Sequence, residues 1–192
     1  MKTVFYDVDT QLDFLYPAGA LYVPGAEQIV PAVARLNAHA ASHGIPVLST
    51  MDAHAESDPE FANWPPHCVA GTIGQHKPAA TLLANRAVVP NQDAPVSIVG
   101  AVQIILEKQT LDAFATRSMP RLLEALQAER FVVYGVVTEI CVLYAIRGLL
   151  AAGKQVVLVS DAVRELNSEK ARAALDELQS RGGALSTVSA IC

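Results

Sequence analysis

The chain has 192 residues and a formal charge of −5, with 14 Lys plus Arg against 19 Asp plus Glu; that suits one domain over residues 1–192 and excludes nucleic-acid or anionic-membrane binding driven by bulk charge. Hydrophobic residues make up 52% and charged residues 17%, too apolar for disorder and in keeping with a sheet covered on both faces. The chain lacks an apolar run of the roughly 18 residues a membrane span needs, a basic-then-apolar leader in MKTVFYDVDTQ, and paired cysteines (Cys68, Cys141 and Cys192 are odd in number and far apart), so a cytoplasmic protein without a disulfide framework is expected.

In chain order, short apolar runs alternate with helical stretches. Lys2–Val8 reads as a first strand, Glu27–His43 as a helix closed by Gly44, and Ile45–Met51 as a second strand. Residues 52–78, rich in Pro, His, Asp and Gly, read as a long loop of the kind that is usually functional inside a compact domain. Arg86–Val99 reads as a small β excursion broken by Pro90 and Pro95. Val102–Glu107 is a third main strand, Pro120–Gln127 is helical, and Phe131–Val137 is a fourth strand followed at once by a helix over Thr138–Ala152. Gln155–Ser160 is a fifth strand, Ser168–Arg181 a helix and Ala184–Val188 a sixth strand. This alternation predicts an α/β fold of three layers, a mostly parallel six-stranded sheet with helices on both faces.

Such sheets bind ligands outside the carboxyl ends of their strands. The reactive side chains just past the apolar runs are Asp9, then Asp52 and His54, then Lys108, then Cys141. Cys141, one turn into a helix, sits where dipole and free N–H groups favour a thiolate, although a free cysteine is also a common small core hydrophobe. Asp9 can take a thiol proton and return it to a leaving amine; Asp7 and Asp13 compete for that role, and any one of them can instead cap a turn. The Lys108 charge, if beside these groups, favours thiolate; alone, a lysine there is as well explained by snorkelling. Backbone N–H groups of the Thr138–Cys141 turn can meet a developing oxyanion, each worth roughly 3–4 kcal/mol of barrier.

Asp52, His54, Glu60 and His67 form a second constellation of N and O donors suited to one divalent ion, zinc first, with manganese or iron as alternatives. Asp58 and His76 are spare candidates, and Cys68 is better explained by packing. Phe14 and Trp64 are the aromatics nearest these groups, placed to clamp a flat ring. The rival to ligation is a loop of polar residues without a shared purpose.

The segments DVDTQLDF, MDAH, NWPPHCVAGT, EKQTLDAF and GVVTEICV, in this order, resemble the isochorismatase-like cysteine hydrolases, and within them most closely the nicotinamidases. The resemblance implies a catalytic triad of Asp9, Lys108 and Cys141. It implies metal ligands Asp52, His54 and His67, with Glu60 as the fourth, and a pyridine ring lined by Phe14 and Trp64. It further implies a cis peptide between Val136 and Val137, with an oxyanion hole made of the Val137 and Cys141 N–H groups. The implied activity is hydrolysis of nicotinamide in NAD salvage, on a small-molecule amide, with homo-oligomerisation left open. The alternatives are another hydrolase of the superfamily (isochorismatase, N-carbamoyl amidohydrolase or other amidase) and a non-catalytic binding module. Where relatives often continue the Asp-x-His block with a proline and a second histidine, this chain reads AESDPEF.

Overall fold

The computed structural model describes residues 1–92 and 95–192. Its elements are β1 (Thr3–Val8), α1 (Leu12–Leu15), α2 (Val30–Ser42), β2 (Val47–Asp52), β3 (Arg86–Val89), β4 (Gln103–Lys108), α3 (Met119–Leu126), β5 (Arg130–Val136), α4 (Leu143–Ala151), β6 (Gln155–Arg164), α5 (Ser168–Ser180), β7 (Ala184–Ser186) and α6 (Val188–Ile191). The strands form one sheet in the order β3-β4-β2-β1-β5-β6-β7, and every pairing is parallel.

The sheet has seven strands, one more than the six expected. The extra strand is β3, a four-residue edge at the start of the expected 86–99 excursion; of that span, residues 93 and 94 lie outside the described residues. Edge position explains the weak signal, because only one flank is paired and Val88 stays exposed. Most other boundaries move by a residue or two; β6 runs four residues beyond the expected Ser160, and α4 begins at Leu143 rather than Thr138. The helix expected from Glu27 starts as a short 3-10 turn over Ala26–Ile29 before α2. Pro31 sits in the first turn of α2, where a missing N–H costs nothing. Gly44 closes α2 with φ +65°, the left-handed cap a side chain would resist.

Alternation along the strands divides the core. Val4, Tyr6 and Val8 of β1 face one cluster, with Leu122 of α3, Ile146 and Leu149 of α4 and Leu178 of α5. Phe5 of β1 faces the other, with Val33 and Leu36 of α2 and Val188 of α6. The sheet is therefore buried on both faces, which is why its strands read as continuous apolar runs. Among the described residues no helix is long and apolar enough to cross a membrane.

The site is set by topology. From β1 the chain turns toward β2; from β5 it turns the other way, toward β6. The order reverses between β1 and β5, and a crevice opens at such a switch point beyond the strand ends. Here the two strands approach unusually closely. A Cβ on Gly135 (φ +119°) would lie 2.1 Å from the Val8 carbonyl oxygen, so only glycine fits.

Candidate active site

Asp9 follows β1 directly, with φ +50° and its N–H donated to Thr50 Oγ1 of β2 at 3.3 Å. Lys108 ends β4, in register with Asp52 of β2. Its Nζ lies 2.9 Å from Asp9 Oδ2, donates to Asp52 Oδ1, and donates to the Thr110 carbonyl at 3.0 Å. Burial alone would strip the Lys108 proton; Asp52 and Asp9 overcome that and hold the ammonium well above the ordinary lysine value. Cys141 lies past β5 on a wide π-type turn, Thr138–Val142, that leads into α4; the helix expected from Thr138 thus begins as this turn. The Val136–Val137 peptide is cis.

The thiol of Cys141 is buried with this group. Burial, reinforced by the charges of Asp9 and Asp52, pushes it well up against the downward pull of Lys108. Lys108 does favour the anion, but desolvation and two carboxylates outweigh it, and the resting group is a thiol that needs a base. Asp9 is suited to that task, because its carboxylate sits beside Lys108 at 2.9 Å and acts directly on the Cys141 thiol, raising it.

The competing carboxylates are engaged elsewhere. Asp7 pairs with Lys77 at 3.2 Å and accepts from Thr10 and Ser49. Asp13 accepts the Ala20 N–H at 2.9 Å and the Cys68 N–H at 2.7 Å. It thereby joins the segment carrying His67 to the one carrying Leu21 and Val23. Gly74 packs so tightly on it that an added Cβ would fall 2.2 Å from the Asp13 carboxylate.

Asp52, His54 and His67 present donor atoms within 4.8 Å of one another, all buried. Asp52 ends β2 and is fixed by Gln11, whose amide accepts its N–H at 2.7 Å and donates to its carbonyl at 2.9 Å. The Nε2 atoms of His54 and His67 each stand 3.9 Å from Asp52 Oδ2. Their far nitrogens are occupied: His54 Nδ1 faces the Asp58 carboxylate at 3.0 Å, and His67 Nδ1 donates to the Pro65 carbonyl at 2.7 Å. With Nδ1 turned to these oxygens, Nε2 is the nitrogen each imidazole offers to the group, as in metal-ligating histidines. His54 Nε2 is fully buried without a hydrogen-bond partner, a costly state unless something binds it. The donor set therefore fits a divalent ion. Glu60, expected as the fourth ligand, lies outside this group; it lines the adjacent cavity, where burial and the Asp52 charge raise its carboxyl. Among the spare candidates, Asp58 orients His54, His76 is exposed, and Cys68 is buried in the apolar core.

One cavity joins the two groups. It is lined by the reactive and donor residues Cys141, Asp52, His67 and Glu60, by Val137, and by Phe14, Trp64, Leu21, Val23, Leu111, Ile140 and Leu166. Phe14 packs on His67 with ring centroids 5.4 Å apart. The walls are mostly apolar, with a few polar groups among them, as in small-molecule sites. Sequence reading missed Gln11 and Leu166 and gave Asp58 and Asp13 other roles, because contacts across long separations assign them; Gln11 and Asp52 are 41 residues apart.

The family model described as "Isochorismatase domain" matches residues 4–190. The "uncharacterized isochorismatase family protein PncA" of Bacillus subtilis (strain 168) is 28% identical over 176 residues, 88% of this chain and 90% of that protein. The pyrazinamidase/nicotinamidase of Streptococcus mutans UA159 has a TM-score of 0.81 at 25% identity, over 96% of this chain and 100% of that one. The pyrazinamidase of Pyrococcus horikoshii, solved in complex with zinc, has a TM-score of 0.78 at 28% identity, over 97% and 99%. N-carbamoylsarcosine amidase of Thermoplasma acidophilum, at 21% identity and a TM-score of 0.80 over 98% and 97%, shares the fold.

Proposed function

The chain belongs to the isochorismatase family, and from that premise we propose that it is a nicotinamidase, hydrolysing nicotinamide to nicotinate and ammonia for NAD salvage. The observation that carries this reading is a single cavity lined both by the Cys141 thiol and by two members of a three-donor metal group, Asp52 and His67. An isolated thiol–acid pair would suit many amides; a second anchoring point across an apolar slot favours a flat ring bearing a basic nitrogen.

The chemistry follows from the protonation states. Asp9 removes the Cys141 proton, and the sulfur attacks the carboxamide carbon. The carbonyl oxygen takes the negative charge and is held by the Val137 and Cys141 N–H groups. Asp9 gives its proton to the departing nitrogen, the C–N bond breaks, and ammonia leaves a thioester. Water, giving a proton to Asp9, attacks that thioester; the acid departs and the proton returns to sulfur. Lys108 stays charged throughout and holds the Asp9 carboxylate in place, its Nζ 2.9 Å from Oδ2. Asp52, His54 and His67 would hold a divalent ion, zinc by the chemistry of the donors. Bound there, that ion would supply a Lewis acid for the ring nitrogen. Phe14 and Trp64 flank the ring.

The test is ammonia release from nicotinamide, benzamide and an N-carbamoyl amine. Nicotinamide should be turned over far faster than benzamide, which lacks the ring nitrogen. Equal turnover of the two would remove the anchoring role, and preference for the carbamoyl compound would reassign the substrate.

A further inference from the structure

We infer that Leu166, held over the cavity mouth by Glu139, sets the size limit on the amides that reach Cys141. The inference rests on the amidase reading for its substrate arm and on geometry for the rest. Leu166 lines the cavity together with Ile140 and Cys141, yet 46% of its surface is exposed. An apolar side chain half in solvent and half in a substrate cavity is a rim, and here it belongs to the segment between β6 and α5. That segment has no strand or helix of its own to fix it. Glu139 does so instead: its Oε1 accepts the N–H of Leu166 at 3.0 Å and the N–H of Asn167 at 2.7 Å. Asn167 in turn caps α5, accepting the Lys170 N–H at 2.9 Å.

Glu139 lies on the same turn as Cys141. One carboxylate oxygen thus fixes the distance between the nucleophile's turn and the rim. Glu139 is a positioning residue, and Leu166 is the group that meets the substrate. Ile140, also on the lining, is held differently: it is anchored within the turn, its N–H donating to the Val137 carbonyl at 3.0 Å.

The substrate test uses nicotinamides methylated at each open ring carbon. A methyl group refused by an apolar wall is worth about 10-fold or more in discrimination. Leu166→Ala should lower the kcat/KM ratio of nicotinamide over the analogue about 10-fold at one ring position. Glu139→Ala should lower the same ratio, Glu139→Gln should restore it by keeping an acceptor oxygen, and the double alanine variant should fall no further than Leu166→Ala. A ratio unchanged within twofold at every position overturns the inference, as does full additivity in the double variant. A second arm needs no substrate: alkylation of Cys141 by iodoacetamide and by the bulkier N-phenylmaleimide, read by peptide mass. Leu166→Ala should raise the bulky-to-small rate ratio at least about 5-fold, and an unchanged ratio refutes the rim. If no pyridine amide is turned over, the proposed function fails and this arm still decides.

Discussion

Lys108→Met tests whether one buried ammonium makes two neighbouring carboxylates tolerable. Its Nζ touches both Asp9 and Asp52, and the three side chains are 1%, 1% and 3% exposed. Methionine fills a similar volume without charge, so the loss is electrostatic rather than a cavity. Removing one partner of a buried ion pair costs about 3–5 kcal/mol, and a domain of this size loses roughly 2–4 °C of Tm per kcal/mol, so the metal-free variant should melt about 6–20 °C lower. The sign with pH is distinct. In the variant both carboxylates are buried without a counter-charge, so their folded pKa values lie above the unfolded ones. The folded variant then binds more protons, and its deficit shrinks as pH falls through those raised values. Calorimetry in chelator at neutral and acidic pH reads both effects. Lys108→Met combined with Asp9→Asn and Asp52→Asn should recover most of the lost Tm while remaining inactive. A single variant as stable as the parent at neutral pH would refute the reasoning, and so would a triple variant that recovers nothing.

Cys141→Ala should lower ammonia release at least about 10⁴-fold, since the covalent route is lost; a rate near wild type would sink the thioester. Because Asp9 pushes the Cys141 thiol up and Lys108 pulls it down, Asp9→Asn should shift the pH profile of Cys141 alkylation to lower pH; a shift to higher pH contradicts the assignment. Asp58→Ala removes the carboxylate behind His54 Nδ1 and should weaken divalent-metal binding about 10–100-fold in chelator competition. Between α4 and α5, Arg147 holds the Glu177 carboxyl below its ordinary value of 4.5. A lowered folded pKa means that the pair's stabilisation is present above that ordinary value and lost as pH falls below it. Glu177→Gln should therefore destabilise by about 0.5 kcal/mol at neutral pH, read by urea midpoints, and by nothing measurable in strong acid.

The sequence made the architecture legible where burial was two-sided. β1, β2, β4 and β5 are buried over nearly their whole length because both faces are covered, and the apolar runs within them fell within a residue or two of expectation. β6 did not: it continues through Ser160 and Asp161 to Arg164, past a register shift against β5, and polar residues after such a shift carry no apolar signal. Asp9, Asp52, Lys108 and Cys141 were legible because strand ends share an edge, so a one-dimensional list of residues past apolar runs becomes a cluster. Glu60 shows the limit of spacing. It lies eight positions from Asp52, inside the same short block as the other donors, but the 3-10 turn over Pro59–Ala62 leaves it on the cavity wall outside the donor group. Nothing in AESDPEF states which of Asp58 and Glu60 turns toward an imidazole; that depends on Asp58 accepting the Glu60 N–H at 2.9 Å, which fixes the turn.

Asp52 carries the two halves of the site at once. Its Oδ1 meets Lys108, and its Oδ2 faces both imidazoles. Negative charge drawn toward Oδ2 is charge withdrawn from Lys108, which then leans on Asp9. The Cys141 thiol feels the sum of these groups, because Asp9 and Asp52 both raise it and Lys108 lowers it. Occupying the donor group with a divalent ion should therefore do more than anchor a ring. It should lower the thiol's proton affinity through Asp52, and Cys141 alkylation should quicken at fixed pH when zinc is added to chelated protein. Asp52→Asn removes the shared carboxylate and should abolish that response. If the response survives in Asp52→Asn, the metal group and the thiol communicate by some other route, and Asp52 is a ligand only.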